Sequence, residues 1–146
     1  MNTSSLSNPQ PHPEIDTDDF IHLQIVHDPE QGPVTEVVRY DQFVRGLFKP
    51  DTEQVMALHM ALGVAGEAGE LADAIKKEYV YNRPRDLTNI IEELGDLEFY
   101  LQQVRMHYNV SRAAVLQANA DKLAKRYVNL KYSDAAAIAR ADKKEN

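Results

Sequence analysis

Apolar residues at helical spacing dominate the chain from position 51 onward. Between Asp51 and Tyr79 they fall at Val55, Leu58, Ala61, Leu62, Ala65, Ala68, Ala72 and Ile75 and cover more than half of a helical circumference. That pattern predicts one long, mostly buried helix, with Asp51 as its N-cap. Tyr81-Asn82-Arg83-Pro84-Arg85 reads as a loop, after which Asp86 caps a second helix running to about Tyr108. Its apolar positions Ile90, Leu94, Leu97, Leu101, Val104 and Tyr108 alternate four and three residues apart, the spacing of a helix–helix seam. Ser111 caps a third helix to about Tyr127, and a short last helix is expected over roughly 133–141. Upstream the signal is thinner. Ile21, Leu23 and Ile25 alternate with His22 and Gln24, which suggests a short strand over 21–26. Gln31-Gly32-Pro33 interrupts the chain, and a helix is expected over 35–47, closed by Lys49-Pro50. The first 13 residues are rich in Ser, Asn and Pro and read as a disordered tail. The expected organisation is an N-terminal tail over 1–34, an all-α helical bundle over 35–142 and a C-terminal tail over 143–146.

Composition narrows the chemistry. The 146 residues contain no Cys, so disulfides, thiolate metal sites and cysteine nucleophiles are excluded, and any metal must be held by oxygen or imidazole. No apolar run approaches the roughly 20 residues of a membrane span, and no basic segment precedes a short apolar one at the N-terminus. The expectation is a cytoplasmic protein with no membrane partner. The formal net charge of -7 is unevenly distributed. Residues 67–98 carry 9 acids against 4 bases, and residues 99–146 carry 4 against 9. An acidic protein is ill suited to duplex nucleic acid, but an acidic stretch followed by a basic one suits a metal ion bound with a polyphosphate.

Two acidic pairs sit on the two longest helices, Glu67-x-x-Glu70 and Glu93-x-x-Asp96. Residues three apart share a helical face, so each pair can offer two carboxylates to one ion. At 100° per residue, Glu67 and Glu70 share an arc with His59, Gly63, Ala74 and Lys77, opposite Leu58, Leu62, Ala65 and Ala72. Glu93 lies about 60° and Asp96 about 120° from the centre of the second helix's seam, whereas Glu92 falls nearly opposite it and reads as surface. Carboxylates turned inward are costly unless neutralised, and an all-oxygen set suits Mg2+ or Mn2+. Four of the six glycines, Gly63, Gly66, Gly69 and Gly95, lie within or beside these pairs, where close helix approach or space for a ligand would offset their helical cost. Downstream, Asn119, Lys122 and Arg126 share one face of the third helix, and Lys and Arg suit phosphate oxygens.

With Gly66-Glu67-Ala68-Gly69-Glu70-Leu71, Glu92-Glu93-Leu94-Gly95-Asp96, Lys76-Lys77 and Asn119 through Tyr127, the chain resembles the MazG-like all-α nucleoside triphosphate pyrophosphohydrolases, in particular the short single-domain forms of bacteria and phages. The likeness covers about residues 40–142. It implies cleavage between the α and β phosphates, giving a (deoxy)nucleoside monophosphate and pyrophosphate. It also implies metal ligation by Glu67, Glu70, Glu93 and Asp96, with two or more Mg2+ ions, or Mn2+ in their place. A carboxylate of the first pair, Glu67 or Glu70, would take the proton of the attacking water. His59, Lys77, Tyr100, Asn119, Lys122 and Arg126 would contact the substrate, with Arg140 closing over it. The family's aromatic after the second pair is often Trp; here Phe99 and Tyr100 stand in its place. A four-helix core completed by a second subunit, as homodimer or homotetramer, is part of the same expectation, and a deoxynucleotide such as dGTP is the expected substrate.

Other readings differ in testable ways. A dUTPase-like or phosphoribosyl-ATP pyrophosphohydrolase relative would share the carboxylates. A nucleotide-sensing helical module would bind without turnover. A di-iron bundle would need Glu-x-x-His pairs, and the residues three after Glu67, Glu70, Glu93 and Glu98 are Glu70, Asp73, Asp96 and Leu101.

Overall fold

The computed structural model describes residues 20–27 and 30–143, so the Ser- and Pro-rich tail of the first 13 residues lies outside the described residues. Among these are two strands and five α-helices, in the order β1 (Phe20–Ile25), β2 (Val34–Arg39), α1 (Tyr40–Leu47), α2 (Glu53–Tyr81), α3 (Leu87–His107), α4 (Arg112–Arg126) and α5 (Asp134–Ala139), so the architecture is all-α with one small hairpin. The chain divides into two compact units at Leu47–Phe48.

In the first unit β1 and β2 pair antiparallel, Phe20 opposite Arg39 and Ile25 opposite Val34. Ile21, Leu23 and Ile25 face the more covered side, and Phe20, His22 and Gln24 the exposed one. The helix expected over 35–47 starts only at Tyr40. The β-branched residues Val34, Thr35, Val37 and Val38 favour an extended chain once β1 offers its hydrogen-bonding edge. Within α1, Val44 is fully buried.

The second unit is built on α2 and α3, which form an antiparallel hairpin with Gly63 of one against Tyr100 of the other. Thr52, not Asp51, caps α2: its hydroxyl accepts from the Val55 amide, while the Asp51 carboxylate accepts from the Thr52 amide. Asp86, Ser111 and Ser133 cap α3, α4 and α5 through their side chains.

The face that α2 turns to α3 differs from the one its apolar pattern suggests. Val55, Leu58, Ala61, Leu62, Ala65, Ala68, Ala72 and Ile75 are all exposed within the chain, Leu58 and Leu62 by about 60%. Met60, Gly63, Glu67, Leu71 and Ala74 form a covered line, again spaced three and four apart, with Met56, Ala57, Val64, Asp73 and Glu78 half-buried beside it. The reason is steric. The arc bearing Gly63 lets the Tyr100 ring sit where a Cβ would otherwise stand, so the helices approach closely along the small-residue and carboxylate arc. Among the described residues the apolar stripe is left exposed.

Helix α4 packs mainly on the two 3-10 turns that follow it, Val128–Leu130 and Ala141–Lys143. The second contact is fixed by an Arg126–Asp142 fork: Nε and Nη2 donate to the two carboxylate oxygens at 2.7 Å each. The Asp142 side chain is only 1% exposed. The Arg126 hydrogen bonds hold its carboxyl down at about 2. A depressed carboxyl stabilises the folded contact fully above the ordinary aspartate value of 3.8 and loses that contribution as pH falls through about 2. An NMR titration of the Asp142 carboxyl is therefore expected to show a midpoint near 2, and Asp142→Asn to lower amide protection in the Ala141–Lys143 turn. A midpoint near 3.8, or unchanged protection, would contradict this latch.

Candidate active site

The pattern of Met60, Gly63, Glu67, Leu71 and Ala74 places Glu67 on the arc of α2 that faces α3. Across the interface Glu93 and Asp96 stand on successive turns of α3. One carboxylate oxygen from each of Glu67, Glu93 and Asp96 lies within 4.8 Å of the others. Glu93 is buried, Glu67 half-buried and Asp96 exposed, so the cluster opens from the helix interface toward solvent. The neighbouring Glu92 is exposed.

Burial raises the Glu67 carboxyl above its usual range, with the charges of Asp96, Glu70 and Glu93 adding to the effect. Glu93 is raised in the same way, by burial first and then by Glu70, Asp96 and Glu92, and Lys77 opposes the shift. Glu70 is exposed and outside the three-residue cluster; it acts on the other carboxylates through its charge. Among the described residues none of Glu67, Glu93 and Asp96 has an ion-pair partner. Like charges gathered at a half-buried interface are unfavourable unless a cation joins them. Three oxygen donors of this kind, with open coordination positions toward solvent, fit a hard divalent ion. The cluster is thus able to bind a metal ion.

Around it the remaining residues singled out from the sequence fall into separate groups. His59 stacks on Phe48 with ring centroids 6.3 Å apart and meets the Tyr100 ring edge-on at 5.9 Å, while Tyr100 also packs edge-on against Phe99. An aromatic group therefore flanks the carboxylates on the Gly63 side. Lys77 stands on the other side and shares Asp73 with Lys76. Asn119 and Lys122 are exposed on α4, and Arg126 is engaged by Asp142. Arg140 is the C-cap of α5 in the left-handed region, its carbonyl accepting from the Lys143 amide. Lys77 is close enough for its charge to oppose the Glu93 shift. The sequence offered no sign of the Arg126–Asp142 fork, because Asp142 lies 16 residues downstream, beyond any helical repeat.

Residues 56–130, more than half of the chain, match the family described as the MazG nucleotide pyrophosphohydrolase domain. The match begins inside α2, spans both acidic pairs and all of α3 and α4, and ends at the 3-10 turn after α4. The chain therefore belongs to the MazG nucleotide pyrophosphohydrolase family, and it is an enzyme of the nucleoside triphosphate pyrophosphohydrolase class. No curated protein and no solved structure matches it significantly.

Because Glu67 and Glu93 have raised carboxyl groups, ionising them costs stability in the metal-free protein as pH rises past their usual range, and a bound cation reverses the cost. Glu93→Gln is expected to raise the melting temperature of the metal-free protein by a few degrees while weakening Mn2+ binding by about tenfold or more. Glu92→Gln is expected to leave Mn2+ binding unchanged. Calorimetric titration with thermal melts checks both; equal effects of the two variants would contradict the assignment.

Proposed function

We propose that the enzyme is a metal-dependent pyrophosphohydrolase that converts a (deoxy)nucleoside triphosphate and water to the monophosphate and pyrophosphate, with deoxynucleotides, dGTP foremost, as substrates in control of the nucleotide pool. The observation that carries this reading is the approach of Glu67, Glu93 and Asp96 to within 4.8 Å at the α2–α3 interface of a chain with the MazG family match. These three, with Glu70 adjoining, would hold Mg2+ or Mn2+, in two or more ions. When bound, the metal would neutralise the triphosphate and stabilise charge developing at phosphorus.

The protein's own groups supply the rest. Glu67, half-buried beside Glu93 and Asp96, is the better placed of the first pair to accept the proton of the attacking water. Burial first, then the charges of Asp96 and Glu70, hold the Glu67 carboxyl above its usual range in the metal-free protein. The His59–Tyr100 ring group offers apolar faces for the sugar and base on the Gly63 side, and Lys77 offers a cation for phosphate oxygens on the other. Asn119, Lys122, Arg126 and Arg140 complete the substrate-binding set, and Arg126 must exchange Asp142 for a phosphate to take part.

The working form is a homodimer or homotetramer in the cytoplasm. Val55, Leu58, Leu62, Ala65, Ala72, Ile75 and Tyr79 make a continuous exposed stripe on α2, and Leu87, Ile91 and Leu94 are exposed on α3. Apolar stripes of this length call for cover, and two such hairpins make a four-helix core. Among the described residues no helix is long and apolar enough to cross a membrane, and the acidic net charge disfavours duplex nucleic acid.

Light scattering should give two or four times the 16.5 kDa chain mass, and Leu62→Glu should yield monomers; a wild-type mass of one chain would refute the assembly. Incubation with each ribo- and deoxyribonucleoside triphosphate should release monophosphate and pyrophosphate, with activity lost in EDTA and reduced at least about 100-fold in Glu67→Gln. Binding without products would favour a nucleotide sensor, and release of diphosphate and phosphate would rule out the reading.

A further inference from the structure

The turn between α2 and α3 borders an open cleft of about 840 Å³ whose polar lining comes from Asp73, Lys76, Lys77, Arg83, Asp86 and Asn89. Its volume falls within the range of small-molecule sites. The loop is held in place by the end of α2. Asn82 takes the left-handed conformation at φ 50°, and the Lys77 carbonyl accepts from both the Asn82 and Arg83 amides. That closure fixes the Arg83 backbone beside Lys77.

The side chains lining the cleft are not equally committed. Lys76 and Lys77 both pair with Asp73, and Lys76 also lies over the Tyr81 ring at 5.6 Å from its centroid. The Asp86 carboxylate accepts from the Asn89 amide as the α3 cap. Arg85 is tied to Glu78 through contacts of 2.8–3.1 Å and does not line the cleft. Arg83 makes no ion pair among the described residues. Its guanidinium is thus an available fork in a cleft that already holds two lysines, and the positive end of the α3 dipole opens onto the same space.

Position along the hairpin identifies what such a cleft would take. Asn89 is one helical turn, about 6 Å, before Glu93, Asp73 is about 9 Å of helix rise beyond Glu67, and Lys77, which lines the cleft, acts on the Glu93 carboxyl through its charge. The cleft therefore adjoins the carboxylate cluster on the side opposite the His59–Tyr100 rings. With Lys76 over it, the Tyr81 ring is not a free platform for a base, whereas the cations outnumber the carboxylates and Asp86 is engaged as a cap. A polyanion is the fitting occupant.

We propose that this cleft seats the two terminal phosphates of the substrate and then the pyrophosphate product, with Arg83 as the residue that grips them; this rests on the pyrophosphohydrolase reading. In the reaction, the water oxygen forms a bond to the α-phosphorus as Glu67 takes its proton. The bond from that phosphorus to the bridging oxygen breaks, and its electron pair leaves on pyrophosphate. Arg83, Lys77 and Lys76 hold that leaving group, so the nucleotide lies along the hairpin with its base toward His59 and its terminal phosphates toward the α2–α3 turn.

The test titrates pyrophosphate with Mg2+ into the full chain by calorimetry and measures inhibition of turnover by pyrophosphate and by the nucleoside monophosphate. Arg83→Ala is expected to weaken pyrophosphate binding about tenfold or more, to raise KM for the triphosphate by a similar factor and to leave inhibition by the monophosphate unchanged. Arg83→Lys should recover part of the loss. Arg85→Ala, which removes the same charge from the same loop, should leave pyrophosphate binding as it is. The proposal is overturned if Arg83→Ala leaves pyrophosphate binding intact, if it weakens both products equally, or if Arg85→Ala matches it. Because the calorimetry needs no turnover, failure of the parent reading shows separately, as wild-type protein that releases no pyrophosphate from any triphosphate.

Discussion

Three carboxylates brought within 4.8 Å of one another, one of them buried, set the terms for the rest of the helical unit. Their mutual repulsion must be overcome by the packing of α2 on α3, and the contact that permits it is the fit of the Tyr100 ring against bare backbone at Gly63. A close approach along that arc carries Glu67 inward with Ala74 and turns Leu58 and Leu62 outward. The acidic centre and the bare apolar stripe are thus two results of one choice of helix face. A cation would relieve the first and a second subunit would cover the second.

The same choice gives the proposed site a direction. On one side of the carboxylates stand the rings of His59, Tyr100 and Phe99, and on the other the Lys76, Lys77 and Arg83 cleft at the helix turn. Apolar faces at one end, cations at the other and carboxylates between them match the order of chemical groups in a metal-bound nucleoside triphosphate. The Arg126–Asp142 fork brings a competing internal anion from the Ala141–Lys143 turn to the end of α4: Asp142 satisfies a guanidinium that would otherwise be open to phosphate.

Much of this was legible in the sequence, for physical reasons that differ by element. The helices of the second unit carry strong caps and three–four spacing, so their type and extent followed from local rules, and the angular position of Glu93 relative to Glu92 followed from the helical repeat. The facing side of α2 did not, because residue type alone ranks Leu58 and Leu62 as core and Gly63 and Glu67 as surface. Only the tertiary fit at Tyr100 reverses that ranking. The hairpin was half legible: Ile21, Leu23 and Ile25 alternate clearly, but Val34–Arg39 borders a helix and needed its pairing partner to become a strand. Glu70 has the same local spacing as Asp96, yet only Asp96 joins the close cluster, a difference of helix rotation that no single-helix pattern encodes.

The central claim is that the Glu67, Glu93 and Asp96 carboxylates exist to hold a divalent cation. Anomalous diffraction from crystals grown with Mn2+ tests it most directly. The account predicts a manganese peak bonded to oxygens of all three side chains, at the 2.0–2.3 Å typical of hard-cation ligation to oxygen. Crystals saturated with Mn2+ that show no peak between α2 and α3, or the three carboxylates turned apart to solvent, would contradict it.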